Sequence, residues 1–138
     1  MTGLAFFDSN VLVYADDERS AEKQARAISL FSDYQRRDAA VISLQVLQEY
    51  FSATTTKLGV SVEIAQKKVE LLAAARVVVF EPRDIVAAIE LHRLNQISFW
   101  DALILHAARQ AGAVVLFSED LQHGAVLAGV RIMNPFVA

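Results

Sequence analysis

Short apolar runs and longer amphipathic stretches alternate along the chain. The short runs are rich in β-branched and aromatic residues, which predicts strands at residues 4–7, 39–42, 77–80 and 113–117, with a weaker one at 130–133. Strands that alternate with helices need crossover connections. The pattern therefore favours a mostly parallel sheet that is covered by helices on both faces.

The intervening stretches carry apolar residues at helical spacing. They predict helices over about residues 20–35, around residues 46–51, over residues 62–75, and from Pro82 onward. The clearest helix runs from Phe99 to Gln110, and Gly112 follows it in the position that usually ends a helix. Trp100 begins the apolar stripe of this helix, so we expect its side chain to lie in the core rather than to form an exposed platform for RNA stacking.

Composition narrows the class of protein. The chain has 138 residues, of which 54% are hydrophobic and 21% charged, so a single domain over residues 1–138 with a full core is expected. It has no cysteine, which excludes disulfides and thiolate metal sites. No run approaches 18 apolar residues and no basic leader precedes an apolar one, so we expect a cytoplasmic protein without membrane contact.

The formal net charge of −3 argues against a protein that coats nucleic acid, because such domains are usually basic. It leaves open an enzyme that handles nucleic acid through bound cations, since these reverse the local sign of charge.

Acidic residues stand where predicted strands end or the next helices begin. Asp8 ends the first strand, and Glu49 lies in the second turn of the helix after the second strand. Asp101 lies in the first turn of the helix that starts at Phe99, and Asp120 follows the fourth strand. Ligands of parallel sheets bind beyond the carboxyl ends of the strands, so we expect these carboxylates to converge.

Each acid also has a purely structural interpretation. Asp8 can cap a helix that begins near Asn10, and Ser98 and Asp101 have the spacing of a capping box. Asp120 can complement a helix dipole, and Glu49 can be a solvated helix residue.

Taken together, the acids favour a metal site. None of them has a Lys or Arg within four residues in the sequence. Converging carboxylates repel each other unless a cation lies between them. Oxygen ligands suit Mg²⁺ or Mn²⁺, and such sites support metal-assisted hydrolysis of phosphodiesters.

The order and spacing of these motifs resemble the PIN domain, and most closely the VapC-type toxins of bacterial toxin–antitoxin pairs. The motifs, which span essentially the whole chain, are Asp8-Ser9-Asn10-Val11-Leu12, Glu49, Ser98-Phe99-Trp100-Asp101-Ala102 and Ser118-Glu119-Asp120-Leu121. The resemblance implies a three-layer α/β sandwich with a central, mostly parallel sheet of about five strands. It also implies a magnesium-dependent endoribonuclease that leaves 5′-phosphate and 3′-hydroxyl ends.

The resemblance also implies roles for individual residues. Asp8, Glu49, Asp101 and Asp120 correspond to the family's catalytic and metal-binding acids, and we expect Asp8 and Asp101 to be the principal ligands. Glu119 is adjacent to Asp120 and can take its place. The supporting polar positions fall on Asn10 and Ser118.

Three partners are implied: an RNA substrate, a cognate antitoxin and a second copy in a homodimer. The stretch 58–75 has more apolar residues than one narrow stripe requires, and Val46, Tyr50 and Phe51 lie on the preceding helix. We expect some of these side chains to enter the core and the surplus to form a groove for an antitoxin segment, or a homodimer contact. A basic side chain from the antitoxin would then reach the carboxylates and replace the cation.

Two other functions remain open. One is a phosphatase or phosphotransfer domain with Asp8 as nucleophile. It lacks the usual second acid two residues later, where Asn10 stands, and residues 114–120 contain no lysine. The other is a module that binds RNA or protein without cutting. Bare carboxylates would repel RNA phosphates, which argues against this module.

Overall fold

The computed structural model describes residues 3–137. Met1, Thr2 and Ala138, at the ends of the predicted domain, lie outside the described residues. The elements are β1 Ala5–Phe7, α1 Ser9–Tyr14, α2 Ala21–Arg36, β2 Ala40–Ser43, α3 Leu44–Thr56, α4 Val62–Leu72, β3 Arg76–Val78, α5 Pro82–Asn95, α6 Phe99–Gln110, β4 Val115–Phe117, β5 Val126–Leu127 and β6 Val130–Met133. Within this range no helix is long and apolar enough to cross a membrane.

The strands form one mixed but mostly parallel sheet. Over the described residues it has six strands in the order β3-β2-β1-β4-β6-β5, and only the β5–β6 pair is antiparallel. The additional strand relative to the expected five is β5, which has two residues and so leaves no periodic signal. Ala128 and Gly129 connect β5 to β6 with φ of 51° and 81°, as a tight hairpin requires.

Helices cover both faces of the sheet, which confirms the predicted architecture. Helices α1 to α4 pack against one another, while α5 and α6 pack together and α6 contacts β2, β4 and β6. The ring of Phe7 in β1 meets Phe31 and Tyr34 of α2, with ring centroids 5.1 and 5.8 Å away. Phe6 points to the opposite face, because successive side chains of a strand alternate.

Strand β1 lies at the centre, between β2 and β4. Phe7 is in register with Phe117, so the residues that follow, Asp8 and Ser118, leave the sheet side by side. The backbone N–H of Asp8 donates to the carbonyl of Phe117 at 3.0 Å. The buried strands thus place two polar side chains together at the carboxyl edge of the sheet.

Candidate active site

Three carboxylates meet beyond this edge. Asp8, Asp101 and Asp120 each present an oxygen such that the three atoms lie within 4.8 Å of one another, and across residues 3–137 this group has no further member. Asp8 follows β1 and is 3% exposed, Asp101 is half-buried in the first turn of α6, and Asp120 is exposed in the loop after β4. The three acids, which we call the acidic triad, therefore extend from the core to solvent.

Asp8 is held at both oxygens. Its Oδ1 accepts from the backbone N–H of Ser9 at 2.7 Å, which makes Asp8 the N-cap of α1. Its Oδ2 accepts from the hydroxyl of Ser118 at 2.8 Å and from the amide of Asn10 at 3.5 Å. The Ser118 hydroxyl also accepts from the backbone N–H of Asp120 at 3.1 Å. One serine thus connects two members of the acidic triad.

The surroundings of Asp8 disfavour its charge. Burial raises the pKa of Asp8 to about 7, although the hydrogen bond from Ser118 acts in the opposite direction. The negative charges of Asp120 and Glu49 raise this pKa further. Among residues 3–137 no basic side chain forms an ion pair with Asp8, and a bound cation would neutralise its charge.

Asp101 combines a structural and an electrostatic position. Its backbone N–H donates to the hydroxyl of Ser98 at 3.0 Å, which caps α6. Partial burial raises the pKa of Asp101, Ser98 lowers it, and the charges of Asp120 and Glu49 raise it. Capping therefore fixes where the carboxylate lies without neutralising it.

Glu49 lies beside the acidic triad on α3. Its Oε1 accepts from the hydroxyl of Ser9 at 2.8 Å, and its Oε2 accepts from the amide of Gln45 at 3.1 Å. Neither Ser9 nor Gln45 was predicted to hold a site residue in place. Their positions in the sequence could have indicated this role, since Ser9 follows Asp8 and Gln45 precedes Glu49 by one helical turn.

Glu119 is directed away from the acidic triad. Its Oε1 accepts from the hydroxyl of Tyr14 at 3.0 Å, and its Oε2 forms an ion pair with Lys23 at 2.7 Å. Its backbone N–H donates to the Asn10 side chain at 3.3 Å. Of the two adjacent acids, the structure therefore brings Asp120 to the acidic triad and pairs Glu119 with a lysine.

The triad and Glu49 line an open cleft of about 630 Å³. Two basic side chains also line it. Arg19 is paired with Asp17 at 2.9 Å, whereas Lys57 forms no ion pair with any described residue. Lys57 is the basic group of the cleft that is free to meet an anionic ligand.

Trp100 lies at the rim of the cleft, and its expected place in the core is wrong. Its side chain is 63% exposed. Helical periodicity identifies the apolar stripe of a helix, but it does not show how far that stripe is covered. The first turn of α6 lies at the edge of the sheet, where the covering ends.

The fold and the triad define an α/β protein with an acidic site at the carboxyl edge of its sheet. The chain belongs to the PIN domain family, whose profile its sequence matches over residues 5–126. A comparison with curated proteins finds no match.

Solved structures with a similar fold come from bacterial toxin–antitoxin pairs. One is a toxin–antitoxin complex from Klebsiella pneumoniae, with 19% identity, a TM-score of 0.69, and coverage of 96% of this chain and 98% of that one. Another is the Mycobacterium tuberculosis toxin VapC20, which cleaves the sarcin-ricin loop, with 20% identity, a TM-score of 0.68 and coverage of 84% and 89%. A third is VapBC2 from Rickettsia felis bound to promoter DNA, with 18% identity, a TM-score of 0.67 and coverage of 94% and 96%.

Proposed function

We propose that this chain is a metal-dependent endoribonuclease and the toxin of a toxin–antitoxin pair. The observation that carries the proposal is the acidic triad in a chain of the PIN domain family: three carboxylates that converge with no basic partner in the described part of the chain. Such a toxin would act on RNA in the cytoplasm.

The residues present fit a hard divalent cation. Every candidate donor is a carboxylate oxygen, which suits Mg²⁺ and also Mn²⁺. Asp8 and Asp101 would be the principal ligands, with Asp120 and Glu49 contributing directly or through water. Because Asp120 is exposed, the site leaves room for water and a substrate phosphate. Mg²⁺ commonly keeps several water ligands and binds substrate phosphates in addition to carboxylates.

The chain's own groups would orient the reaction. When bound, the cation would neutralise charge on the scissile phosphate and acidify a water molecule. Ser118 fixes Oδ2 of Asp8, while Ser9 and Gln45 fix the two oxygens of Glu49. Glu49 would accept hydrogen bonds from water or ribose at the cleft wall, and Lys57 would contact an RNA phosphate.

The phosphotransfer alternative has less support. Both oxygens of Asp8 already accept hydrogen bonds, and the side chain is almost fully buried. The position two residues later, where that class of enzyme has a second acid, holds Asn10, whose amide donates to Oδ2 of Asp8 at 3.5 Å. This geometry counts against Asp8 as a nucleophile.

The test of the proposal is the Asp101→Asn variant. Asparagine keeps the backbone hydrogen bond to Ser98, so the fold should be retained, while one carboxylate of the triad is lost. Substitution of a residue that supports a metal ligand commonly lowers metal affinity or activity by roughly 10- to 100-fold. Loss of a ligand itself should therefore lower RNA cleavage by roughly 100-fold or more. Calorimetric titration with Mg²⁺ and Mn²⁺ should show weaker binding in parallel.

The matched control is Glu63→Gln, which removes the same charge from an exposed position on α4. It should bind the cation and cleave RNA as the wild type does. If Asp101→Asn matches the wild type in both assays, the site assignment is wrong. Absence of cation-dependent cleavage in the wild type would instead favour the non-cutting module.

The antitoxin is proposed to bind an apolar groove of about 840 Å³. Leu71 and Leu72 of α4 and Tyr50 of α3 line this groove, as expected for that surface, and Ile28 and Phe31 of α2 form its other side. Val46 is one of the residues of this surface that enter the core, because its side chain is fully buried, and Phe51 does not line the groove. The alternative occupant is a second copy of the chain in a homodimer.

A further inference from the structure

Trp100 borders two cavities at once. Its side chain lines the acidic cleft and also a notch of about 240 Å³ between α3, α5 and α6. The notch has apolar walls, formed in part by Leu44, Phe80 and Ile85. Gln45 and Gln48 add amide groups to its lining. The notch and the cleft therefore share Trp100 and Gln45 as lining residues but differ in chemistry.

The position of Trp100 is tied to the candidate active site. Its backbone carbonyl accepts from the amide of Gln45 at 3.4 Å, and the same amide donates to Glu49. The ring of Phe99 packs edge-on against the indole, with centroids 5.2 Å apart and the planes at 64°. Asp101 of the acidic triad is the next residue. The indole is thus supported from one side and exposed beside the carboxylates.

We propose that Trp100 stacks on an unpaired RNA base next to the phosphate to be cleaved, with that base seated in the notch. The inference rests on the proposed function. Proteins commonly recognise single-stranded RNA by stacking bases on aromatic side chains and bonding to the base edges. Here the indole supplies the stacking face, and Gln48 supplies a donor and an acceptor for the base edge. Gln45 supplies only an acceptor, because its amide nitrogen already donates to Glu49 and to the Trp100 carbonyl.

A base fits this site better than a protein segment does. Ordinary ligand pockets measure roughly 300–1,000 Å³, and the notch is smaller, which suits one flat ring. Because Trp100 lines both the notch and the cleft, a base in the notch would place the backbone of the same strand near the carboxylates. The groove proposed for the antitoxin shares no lining residue with the notch among the described residues.

The experiment uses a natural reporter, because Trp100 is the only tryptophan of the chain. Intrinsic fluorescence is followed while oligoadenylate is added in Ca²⁺ buffer, and an abasic oligomer of equal length serves as the control. A stacked base should quench the indole, whereas the abasic phosphate backbone should not. Quenching of equal size by both oligomers would contradict stacking.

Substitutions separate the aromatic face from the bulk of the side chain. Trp100→Phe should keep most of the RNA affinity, while Trp100→Leu should lose roughly 5- to 100-fold in both affinity and cleavage at low substrate concentration. Leu94→Ala is the control, since Leu94 is exposed and lines neither the cleft nor the notch of the described structure. Circular dichroism checks that all variants are folded.

Each outcome is decisive. If the wild type cleaves RNA and Trp100→Leu cleaves it equally well, the inference fails and the proposed function stands. A loss of dimerisation or of antitoxin binding in Trp100→Leu, with RNA affinity unchanged, would assign the indole to a protein contact and overturn the inference. If the wild type neither binds nor cleaves RNA, both proposals fail together.

Discussion

At the scale of single residues, structural and functional interpretations of an acid coexist. Asp8 caps α1 and is also a member of the acidic triad. Asp101 lies in the capped first turn of α6 and also belongs to the acidic triad. A capping pattern in a sequence therefore does not argue against a metal ligand at the same position. A residue at the start of a helix, at the carboxyl edge of a sheet, can act both as a helix cap and as a metal ligand.

We predict that Asp8→Asn stabilises the protein in the absence of divalent cations. The pKa of Asp8 lies near 7 in the native state, above its ordinary value of 3.8, so the unfolded chain loses its proton first as the pH rises. The free energy of unfolding should then fall between about pH 4 and pH 7, by up to about 4 kcal/mol, and stay level above that. Asparagine removes this loss and is an equally good N-cap.

Thermal unfolding in EDTA over a series of pH values provides the measurement. The variant should be the more stable protein at pH 8 and nearly equal to the wild type at pH 4. Addition of Mg²⁺ should stabilise the wild type and leave the variant almost unchanged. A variant that is less stable at pH 8 would contradict the prediction and show that the hydrogen bonds accepted by Oδ2 of Asp8 outweigh the cost of burying its charge.

At the scale of elements, connections at the carboxyl edge position the acids. Leu44 begins α3 directly after β2, with the hydroxyl of Ser43 accepting from Val46 at 3.3 Å. Because α3 begins directly after β2, Glu49 in its second turn lies at the wall of the cleft. After β4, by contrast, the chain continues as a loop, and the ion pair of Lys23 with Glu119 holds that loop against α2.

We predict that Lys23→Met lowers cleavage through this loop. Methionine keeps the length of the side chain, but it leaves Glu119 charged and unpaired beside Asp120. Because the ion pair is partly exposed, the free energy of unfolding should fall by less than about 1 kcal/mol. RNA cleavage should fall by about 10-fold, as is common when a residue that orients a ligand is lost.

A double variant distinguishes this effect from general damage. Lys23→Met with Glu119→Gln removes both charges and keeps a partner for Tyr14, so it should recover most of the cleavage. Lys67→Met, an exposed lysine on α4, is the control and should cleave normally. If the double variant is no better than Lys23→Met, electrostatic repulsion is not the cause.

The sequence predicts some elements well for identifiable reasons. The bounds of α6 agree because Ser98 caps its start and Gly112 follows its end. The two-residue β5 is too short for any periodic signal. The pair of Lys23 and Glu119 joins residues 96 positions apart, and only the packing of α2 near the edge of the sheet brings them together. The exposure of Trp100 likewise depends on where the covering helices stop.

At the scale of the whole molecule, α1 separates two surfaces. Asn10 and Val13 line the acidic cleft, while Leu12 and Ala15 line the apolar groove. A segment bound in the groove therefore needs to cross only this short helix to reach the carboxylates. The arrangement supports the proposal that an antitoxin supplies a basic side chain that competes with the cation.

We predict that Leu71→Lys abolishes inhibition by the antitoxin without reducing cleavage. Leu71 lines the groove and is 73% exposed, so the change should not disturb the core. The assay co-expresses the chain with the short protein that toxin–antitoxin pairs encode beside the toxin. Bacterial growth and RNA cleavage over a magnesium series are measured. The wild type should be inhibited, and more magnesium should relieve that inhibition.

Leu94→Lys provides the matched control, because Leu94 is equally exposed but lies outside the groove. It should remain sensitive to the antitoxin. If Leu71→Lys remains inhibited but changes from dimer to monomer in sedimentation, the groove is the homodimer contact. If neither property changes, the groove has neither role.

The central position of β1 has a consequence for biosynthesis. Asp8 leaves the ribosome 110 residues before Ser118, whose hydroxyl holds it, and Asp120 follows later still. Strand β1 likewise gains its neighbour β4 only after the helices between them have been synthesised. A nascent chain therefore cannot assemble its carboxylates before residue 120 has been synthesised. Under the proposed function, the ribosome that makes this nuclease works beside an inactive polypeptide until that point.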